Sequence, residues 1–404
     1  MASTQGVVVL LLTLLLGLQP ITTDLYLPAL PTIRLALDAG MAQAQLTLSA
    51  LLVCFGLAQL VCGPLSDRFG RRPVLLGGLG LYTLAALLAT VAASIEALIA
   101  WRALQGAGLA AAVAGGRSIV RDLYEPHEGA RVMSRALTGL GLIAMASPLA
   151  GGALVQWLDW RAALLTVALL GATTLAFVAS RFEESVPVRD PRATQPARLL
   201  RNWQGLLGNR CFRAWTTLMC ATYGSIFFLL AGSSFVLIGM YGVSRLGYGL
   251  MLMAISLSYV IGTLCCRWLL QRHGLRGSVR RGAMLTLAGA AAMATLALAG
   301  VHAPWAVLLP QALIAVGHGV HQPCAQVGAV APFPEKAGTA ASLSGFFMML
   351  TASAIGLFLG HTLDASPLPM TLGIAGMALV TGLVALTIVQ RDGEPASRLA
   401  PAAA

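Results

Sequence analysis

Long apolar stretches recur along the chain, each about the length of a membrane-crossing helix, and short polar clusters cut them apart. A helix needs about 20 mostly apolar residues to cross the hydrocarbon layer. By that measure we place twelve spans, at residues 6–32, 43–64, 73–93, 96–118, 132–155, 160–180, 214–238, 247–270, 280–300, 304–328, 338–361 and 369–390. Three junctions almost vanish in the pattern. The cuts there rest on Ser94-Ile95-Glu96, on Asp159 and on His302-Ala303-Pro304. The widest polar interval, 181–213, contains Pro187, Pro191 and Pro196 and divides the spans six and six. The pattern therefore predicts an all-α membrane protein of twelve transmembrane helices. Its parts are an N-terminal six-helix half (1–180), a cytoplasmic linker loop (181–213), a C-terminal six-helix half (214–390) and a cytoplasmic tail (391–404).

Composition agrees with the pattern. Of 404 residues, 57% are hydrophobic and only 10% charged, whereas a soluble domain carries about 25% charged residues. The formal net charge of +11 would suit a nucleic-acid partner, but the placement of the cations argues against one. Lysine and arginine collect in cytoplasmic loops. With the N-terminus inside, the inner loops and tail take nearly every cation, and the outer loops take only Arg34, Arg161 and Arg245. Arg102 and Arg117 fall within the fourth span. This bias predicts an inner-membrane protein with both termini cytoplasmic, its basic loops beside an anionic leaflet. The first apolar run, Gly6 to Ile21, leads into Thr22-Thr23-Asp24 and not into a small-residue cleavage site, so it reads as a retained span. The seven cysteines lie mostly in apolar segments without zinc-ligand spacing and read as small buried hydrophobes.

Few residues can carry chemistry. Asp24 is the carboxylate that falls well inside a span. A charge at that depth costs at least ~2.5–3.5 kcal/mol on insertion scales, so its presence points to function. The competing reading is an Asp at a helix end, because Pro28 and Pro31 follow closely. Arg102 lies roughly 9 Å below the outer end of the fourth span and Asp24 roughly 12 Å below the outer end of the first. Matching depths make Arg102 the expected counter-charge, with a structural salt bridge as the alternative. Arg117 is expected to snorkel to the inner surface, a cavity position being the alternative. His318, His321 and Cys324 share a helical face, but with no acid nearby they read as packing or hydrogen-bonding groups, and no metal is expected. Tyr26, Gln59, Tyr223, Phe227, Phe228 and Tyr259 could line a central cavity, since aromatic faces with polar tips suit moderately apolar ligands. Helix packing explains each of them equally well.

The loop after the second span is the most specific feature. It reads Gly63-Pro64-Leu65-Ser66-Asp67-Arg68-Phe69-Gly70-Arg71-Arg72-Pro73. It closely resembles the signature loop of the major facilitator superfamily of secondary transporters. A weak echo, Gly262-Thr263-Leu264 through Arg267 to Gly274 and Arg276, follows the eighth span. The fourth span, Arg102-Ala103-Leu104-Gln105-Gly106-Ala107-Gly108, resembles the superfamily motif whose arginine is linked to proton transfer. The fifth span carries Ser147-Pro148-Leu149-Ala150-Gly151-Gly152, which looks like the antiporter motif with Ser147 in place of its first glycine. Thr23-Asp24-Leu25-Tyr26-Leu27-Pro28-Ala29-Leu30-Pro31 resembles the bicyclomycin-resistance (Bcr/CflA) branch of drug:proton antiporters, which includes amphenicol exporters.

This resemblance implies the major facilitator fold and proton-driven export of small drugs. It makes Asp24 and Arg102 the coupling pair, and Pro148, Gly151 and Gly152 the antiporter motif. The hinge loop becomes a cytoplasmic gate in which Asp67, Arg68, Arg71 and Arg72 meet Arg121 and Asp122. A monomer is the family expectation. No nucleotide-binding loop or nucleophile–base pair is present, so neither an enzyme nor a cofactor is expected. Export of an endogenous metabolite is the nearer rival. A membrane-embedded enzyme or a sensor is the more distant one.

Overall fold

The computed structural model describes residues 2–186, 188–363 and 366–394, and among these the chain is helical with no strand. In order, the helices are α1 (Ala2–Asp24), α2 (Leu30–Ala36), α3 (Met41–Phe69), α4 (Arg71–Thr90), α5 (Ile95–Leu123), α6 (Pro126–Trp157) and α7 (Trp160–Arg181). There follow α8 (Pro196–Gly208), α9 (Arg210–Ser233), α10 (Arg245–Leu298), α11 (Pro304–Val330), α12 (Ala337–Thr362), α13 (Leu368–Leu386) and α14 (Ile388–Asp392). Among the described residues, ten segments are long and apolar enough to cross a membrane. Dividing the 54-residue α10 at its kink and adding α11 accounts for the twelve expected spans.

The polar residues that cut the near-continuous apolar runs are largely helix caps. The Ser94 hydroxyl accepts from the Ala97 N–H (3.2 Å) and starts α5. The Asp159 carboxylate accepts from the Trp160 N–H (2.6 Å) and starts α7. Each satisfies a donor that the first helical turn leaves free. The proline after His302-Ala303 occupies the first turn of α11, where its missing N–H does no harm.

Two expectations are corrected. The eighth and ninth spans are separated by less than the expected loop at 271–279: two helices meet at Gly274, whose backbone leaves helical geometry (φ 63°, ψ −173°) in a positive-φ conformation that glycine adopts without steric penalty. The linker is not simply a loop either. Pro196 starts a short amphipathic helix, α8, from its first turn.

The first span is broken. α1 ends at Asp24, a 3₁₀ turn covers Leu27–Ala29, and α2 continues to Ala36. The seventh also departs from α geometry, since α9 gives way to a π-helix at Ser234–Met240. The first span of each set of six is thus irregular beyond its middle. Interrupted helices in corresponding positions are a pointer to a transporter's binding site, and π-helical turns are frequent at functional sites.

The two sets of six meet along two seams, α3 against α12 and α6 against α10. At the end away from the Gly70 turn the seams are tight. Gln45 donates to the Ala231 carbonyl (2.6 Å), Arg245 to the Thr32 hydroxyl (3.2 Å) and Ser353 to the Ser49 carbonyl (3.1 Å). Toward the basic end the sets part. A cavity of about 400 Å³ lies there, lined by α3, α5, the linker with α8, and the start of α12.

Candidate functional site

Arg102 is fully buried, with no exposure to solvent. It does not pair with Asp24. Its Nη1 donates to Gln105 Oε1 (2.8 Å) and its Nη2 to the Thr22 carbonyl (3.0 Å). Its guanidinium carbon lies 4.2 Å from the centre of the Tyr26 ring. Arg102 reaches this stretch of the chain, but on the face opposite the carboxylate. Thr22 and Tyr26 lie four residues apart on one side of the chain, whereas Asp24 is turned about 200° from Thr22 at 100° per residue. Arg102 therefore holds the backbone and ring on either side of Asp24, while the carboxylate faces away.

Asp24 is the last residue of α1 and lies at the break inside the first apolar segment, Gln5–Ala36. It is half-buried and accepts a hydrogen bond from the Thr23 hydroxyl (2.7 Å). Tyr223 and Tyr248, from the C-terminal spans, lie within its electrostatic reach. Arg102 Nε and Gln105 Nε2 are buried without a hydrogen-bond partner among the described residues. A buried unsatisfied donor costs about 1–3 kcal/mol, so this cluster has donor capacity to spare for an acceptor.

A polar network extends from Arg102. The Tyr26 hydroxyl bonds Thr47 Oγ1 (2.7 Å), and the Tyr82 hydroxyl bonds Thr22 Oγ1 (2.6 Å). Sequence reasoning missed Thr22, Thr47 and Tyr82, because a threonine or tyrosine in an apolar helix looks like any other packing residue. Gln105 was visible as part of the Arg102 string.

The antiporter-motif glycines sit where three helices close. A side chain at Gly151 would collide with the Leu25 carbonyl, beside Asp24, and one at Gly152 with the Arg245 carbonyl at the start of α10. Gly249 of α10 answers from the other side, where an added Cβ would come within 2.8 Å of the Pro148 carbonyl oxygen. Pro148 lies within α6, and the Ser147 hydroxyl turns back onto the Ile143 carbonyl (2.7 Å).

The residues named for a cavity are dispersed. Gln59 lines the 400 Å³ cavity, and so does Arg117, which turns into it and not along the lipid surface. Tyr26 is fully buried beneath Arg102, and Phe227 is also buried, stacked on Tyr223 at 6.0 Å. Tyr259 packs against His318 (5.3 Å), whose Nδ1 bonds Thr222 (3.0 Å). His321 bonds the Val279 carbonyl (3.1 Å), and Cys266 and Cys324 have their sulfurs 3.6 Å apart. No cluster of three metal-ligating side chains occurs among the described residues.

The hinge segment, expected as a loop, is helical on both sides of Gly70, and its side chains form a dense charge cluster. Arg71, 2% exposed, reaches Asp67 (2.6 Å), Asp122 (2.8 Å) and the Ser66 hydroxyl (2.6 Å). Arg121 lies 4.0 Å from Asp67 and 3.9 Å from Asp122. Arg68 donates to Thr194 (2.7 Å), and Arg72 to the Ala179 carbonyl (2.9 Å). Gly63 borders the cavity, and Gly70 makes the turn into α4 without a capping side chain. Glu184 supplies that cap from the start of the linker, accepting from the N–H groups of Arg71 (2.8 Å) and Arg72 (3.3 Å). Its partial burial alone would push the carboxyl up. The N–H groups of Val186, Arg71, Arg72 and Ser185 outweigh that and hold it below the usual glutamate range. The linker is further pinned by the Asp190 N–H on the Asp67 carbonyl (3.0 Å).

A broken first span, a motif-built charge cluster and a seam of glycines on two six-helix sets together define a secondary transporter. Residues 12–357 match the profile of the Major Facilitator Superfamily, and the chain belongs to that family. It is a multi-pass membrane protein, and it is a transporter, not an enzyme. It is 30% identical to Multidrug resistance protein D of Escherichia coli over 94% of this chain and 93% of that one. It is 31% identical to a chloramphenicol resistance protein of Pseudomonas aeruginosa over 78% and 74% of the two chains. It is 27% identical to a bicyclomycin resistance protein homolog of Haemophilus influenzae over 94% and 96%. Among solved structures, the xylose transporter of E. coli in a partially occluded inward-open form superposes with a TM-score of 0.72 at 13% identity, over 94% and 97% of the chains. That likeness concerns the fold.

Proposed function

We propose that the protein exports small drugs of the amphenicol or bicyclomycin kind across the bacterial inner membrane, in exchange for protons. The units that move are residues 1–180 and 214–390, joined by the linker at 181–213, with both termini and the 391–404 tail in the cytoplasm. Of that tail, residues 395–404 lie outside the described part of the chain. The monomer is the working unit. Alternating access is a rocking of the two units about a central site. The open cavity at the basic end and the tight seams at the other support an inward-facing arrangement.

The observation that carries this reading is the placement of Asp24. Its carboxylate lies at a helix break, turned from Arg102 and within reach of Tyr223 and Tyr248 on the opposite unit. Movement of either unit changes what surrounds it. Protonation from outside neutralises Asp24 and lets drug leave outward. In the inward-facing state the carboxyl releases its proton and drug binds again. Arg102, with Nε uncommitted, acts as the electrostatic partner that Asp24 approaches when the break closes.

The relatives named for multidrug, chloramphenicol and bicyclomycin resistance support the substrate class. The test is a susceptibility panel in an efflux-deficient host, beside metabolite profiling of a deletion strain. Raised tolerance to chloramphenicol or bicyclomycin is expected. Unchanged tolerance across the panel, with an endogenous metabolite accumulating in the deletion strain, would replace drug export by metabolite export.

A further inference from the structure

The cavity at the basic end holds a charge that the coupling scheme leaves unused. Arg117 lies on α5 six residues before its last residue, Leu123, so roughly 9 Å in from the helix end. It is exposed, but to the cavity, whose wall it forms with Gln59 and the linker residues Asn202 and Trp203. Four cations and three carboxylates line this space. Arg198 is paired with Asp190 at 2.6 Å, and Arg121 lies near Asp67 and Asp122. Lys336 is next in sequence to Glu335 at the start of α12. Among the described residues no carboxylate comes within ion-pair distance of Arg117. The cavity thus presents an unpaired guanidinium, Arg117, at its inner end, with Arg121 one helical turn nearer the mouth and Lys336, also outside any ion pair among the described residues, at the start of α12.

The remaining walls are apolar. Leu60, Val113, Leu199 and Trp203 face the same space. Its volume of about 400 Å³ falls in the range of small-molecule sites. A guanidinium binds a carboxylate through two parallel hydrogen bonds, and an indole offers a flat apolar face. From this arrangement we infer that the cavity is an entry site for small aromatic carboxylates, with Arg117 as the residue that recognises the negative group. The site draws two walls from the six-helix sets and a third from the linker, so a bound anion holds the linker against both. The inference rests on the transport reading for its direction of travel but not for its binding chemistry.

Equilibrium dialysis of the purified full-length protein tests it, with three probes of one shape: 4-nitrobenzoate, 4-nitrobenzamide and 4-nitrobenzylammonium. Wild type is expected to bind the anion about tenfold more tightly than the neutral amide, the size of one charge-assisted hydrogen bond, and the cation most weakly. Arg117→Gln is expected to erase the difference between anion and amide while leaving amide binding in place. Arg117→Lys should keep part of the anion preference, since a point charge remains without the planar fork. Equal affinity for anion and amide in wild type, or an anion preference that survives Arg117→Gln, would overturn the inference. Retained amide binding shows that Arg117→Gln is folded, and should that variant aggregate, the Arg117→Lys comparison decides. Drug-driven proton flux in liposomes is a separate readout. Its failure, with anion binding intact, would count against the transport reading alone.

Discussion

The guanidinium of Arg102 stacks 4.2 Å from the ring centre of Tyr26 while its Nη2 holds the carbonyl of Thr22, so one buried cation grips both flanks of Asp24 without touching its carboxylate. The first span can break at Asp24 because this grip replaces backbone order lost at the turn. A desolvated cation–π contact contributes about 2 kcal/mol. We expect a double-mutant cycle between Arg102→Ala and Tyr26→Leu to give a coupling of about 1–2 kcal/mol in thermal unfolding of the detergent-solubilised protein. Arg102→Lys should lose part of it. Additive single effects would mean that the ring and the cation act independently.

The seam between α1, α6 and α10 has no room for side chains. Any Cβ at Gly151 or Gly152 meets a carbonyl oxygen of another helix. We expect Gly152→Val to hold the two units apart at the end away from the hinge loop and to raise labelling of a cysteine introduced at Thr32 from that side. Gly63, whose added Cβ would meet nothing within 4 Å, gives the contrast: Gly63→Ala should leave labelling unchanged. Equal labelling in all three proteins would remove the seam from the account.

Arg71 is almost fully buried between two carboxylates. Removing one partner of such a pair leaves a buried charge uncompensated, at a cost of about 3–5 kcal/mol. Asp122→Asn is expected to destabilise the hinge on that scale. Asp67→Asn, whose side chain is 42% exposed, should cost much less. Both should raise cytoplasmic labelling of cysteines placed along α12. A loop that serves only to orient the chain in the membrane would leave labelling and transport as in wild type.

Glu184 ties the linker to the first turn of α4, and its carboxyl is held below the usual glutamate range. A depressed carboxylate contributes fully above its unfolded pKa, and the contribution disappears as pH falls through its folded value. Hydrogen-exchange protection at residues 183–195, taken relative to the intrinsic rate at each pH, should therefore fall only on acidification below the ordinary glutamate range. Glu184→Gln should show the lowered protection already at neutral pH. Protection independent of pH in wild type would place the linker's anchoring elsewhere, on Arg68–Thr194 and the Asp190 N–H.

The fold was largely legible because membrane length and charge bias act on whole segments. Even the ambiguous cuts came out correctly, since Ser94 and Asp159 are the caps that physically end the apolar runs. The linker helix α8 and the tight junction at Gly274 in place of a loop at 271–279 were not legible. An amphipathic helix of thirteen residues scores as polar, and Gly274 bends a helix as readily as it ends one. At the site, residue types and depths could be read, but facing could not. Asp24 and Arg102 share a depth and differ by a rotation that depends on where α1 breaks. The acid that caps α4, Glu184, sits 113 residues away in sequence, and no local spacing announces it.

The central claim is that Asp24 carries the exchanged proton. The direct measurement is drug-dependent proton release in proteoliposomes, comparing wild type with Asp24→Asn at equal, verified insertion. Asparagine keeps the size and the Thr23 hydrogen bond but cannot ionise. The account predicts proton release on chloramphenicol addition in wild type and none in Asp24→Asn, with the variant still folded and still binding drug. Proton release of wild-type size in Asp24→Asn would contradict it and move the coupling to another group.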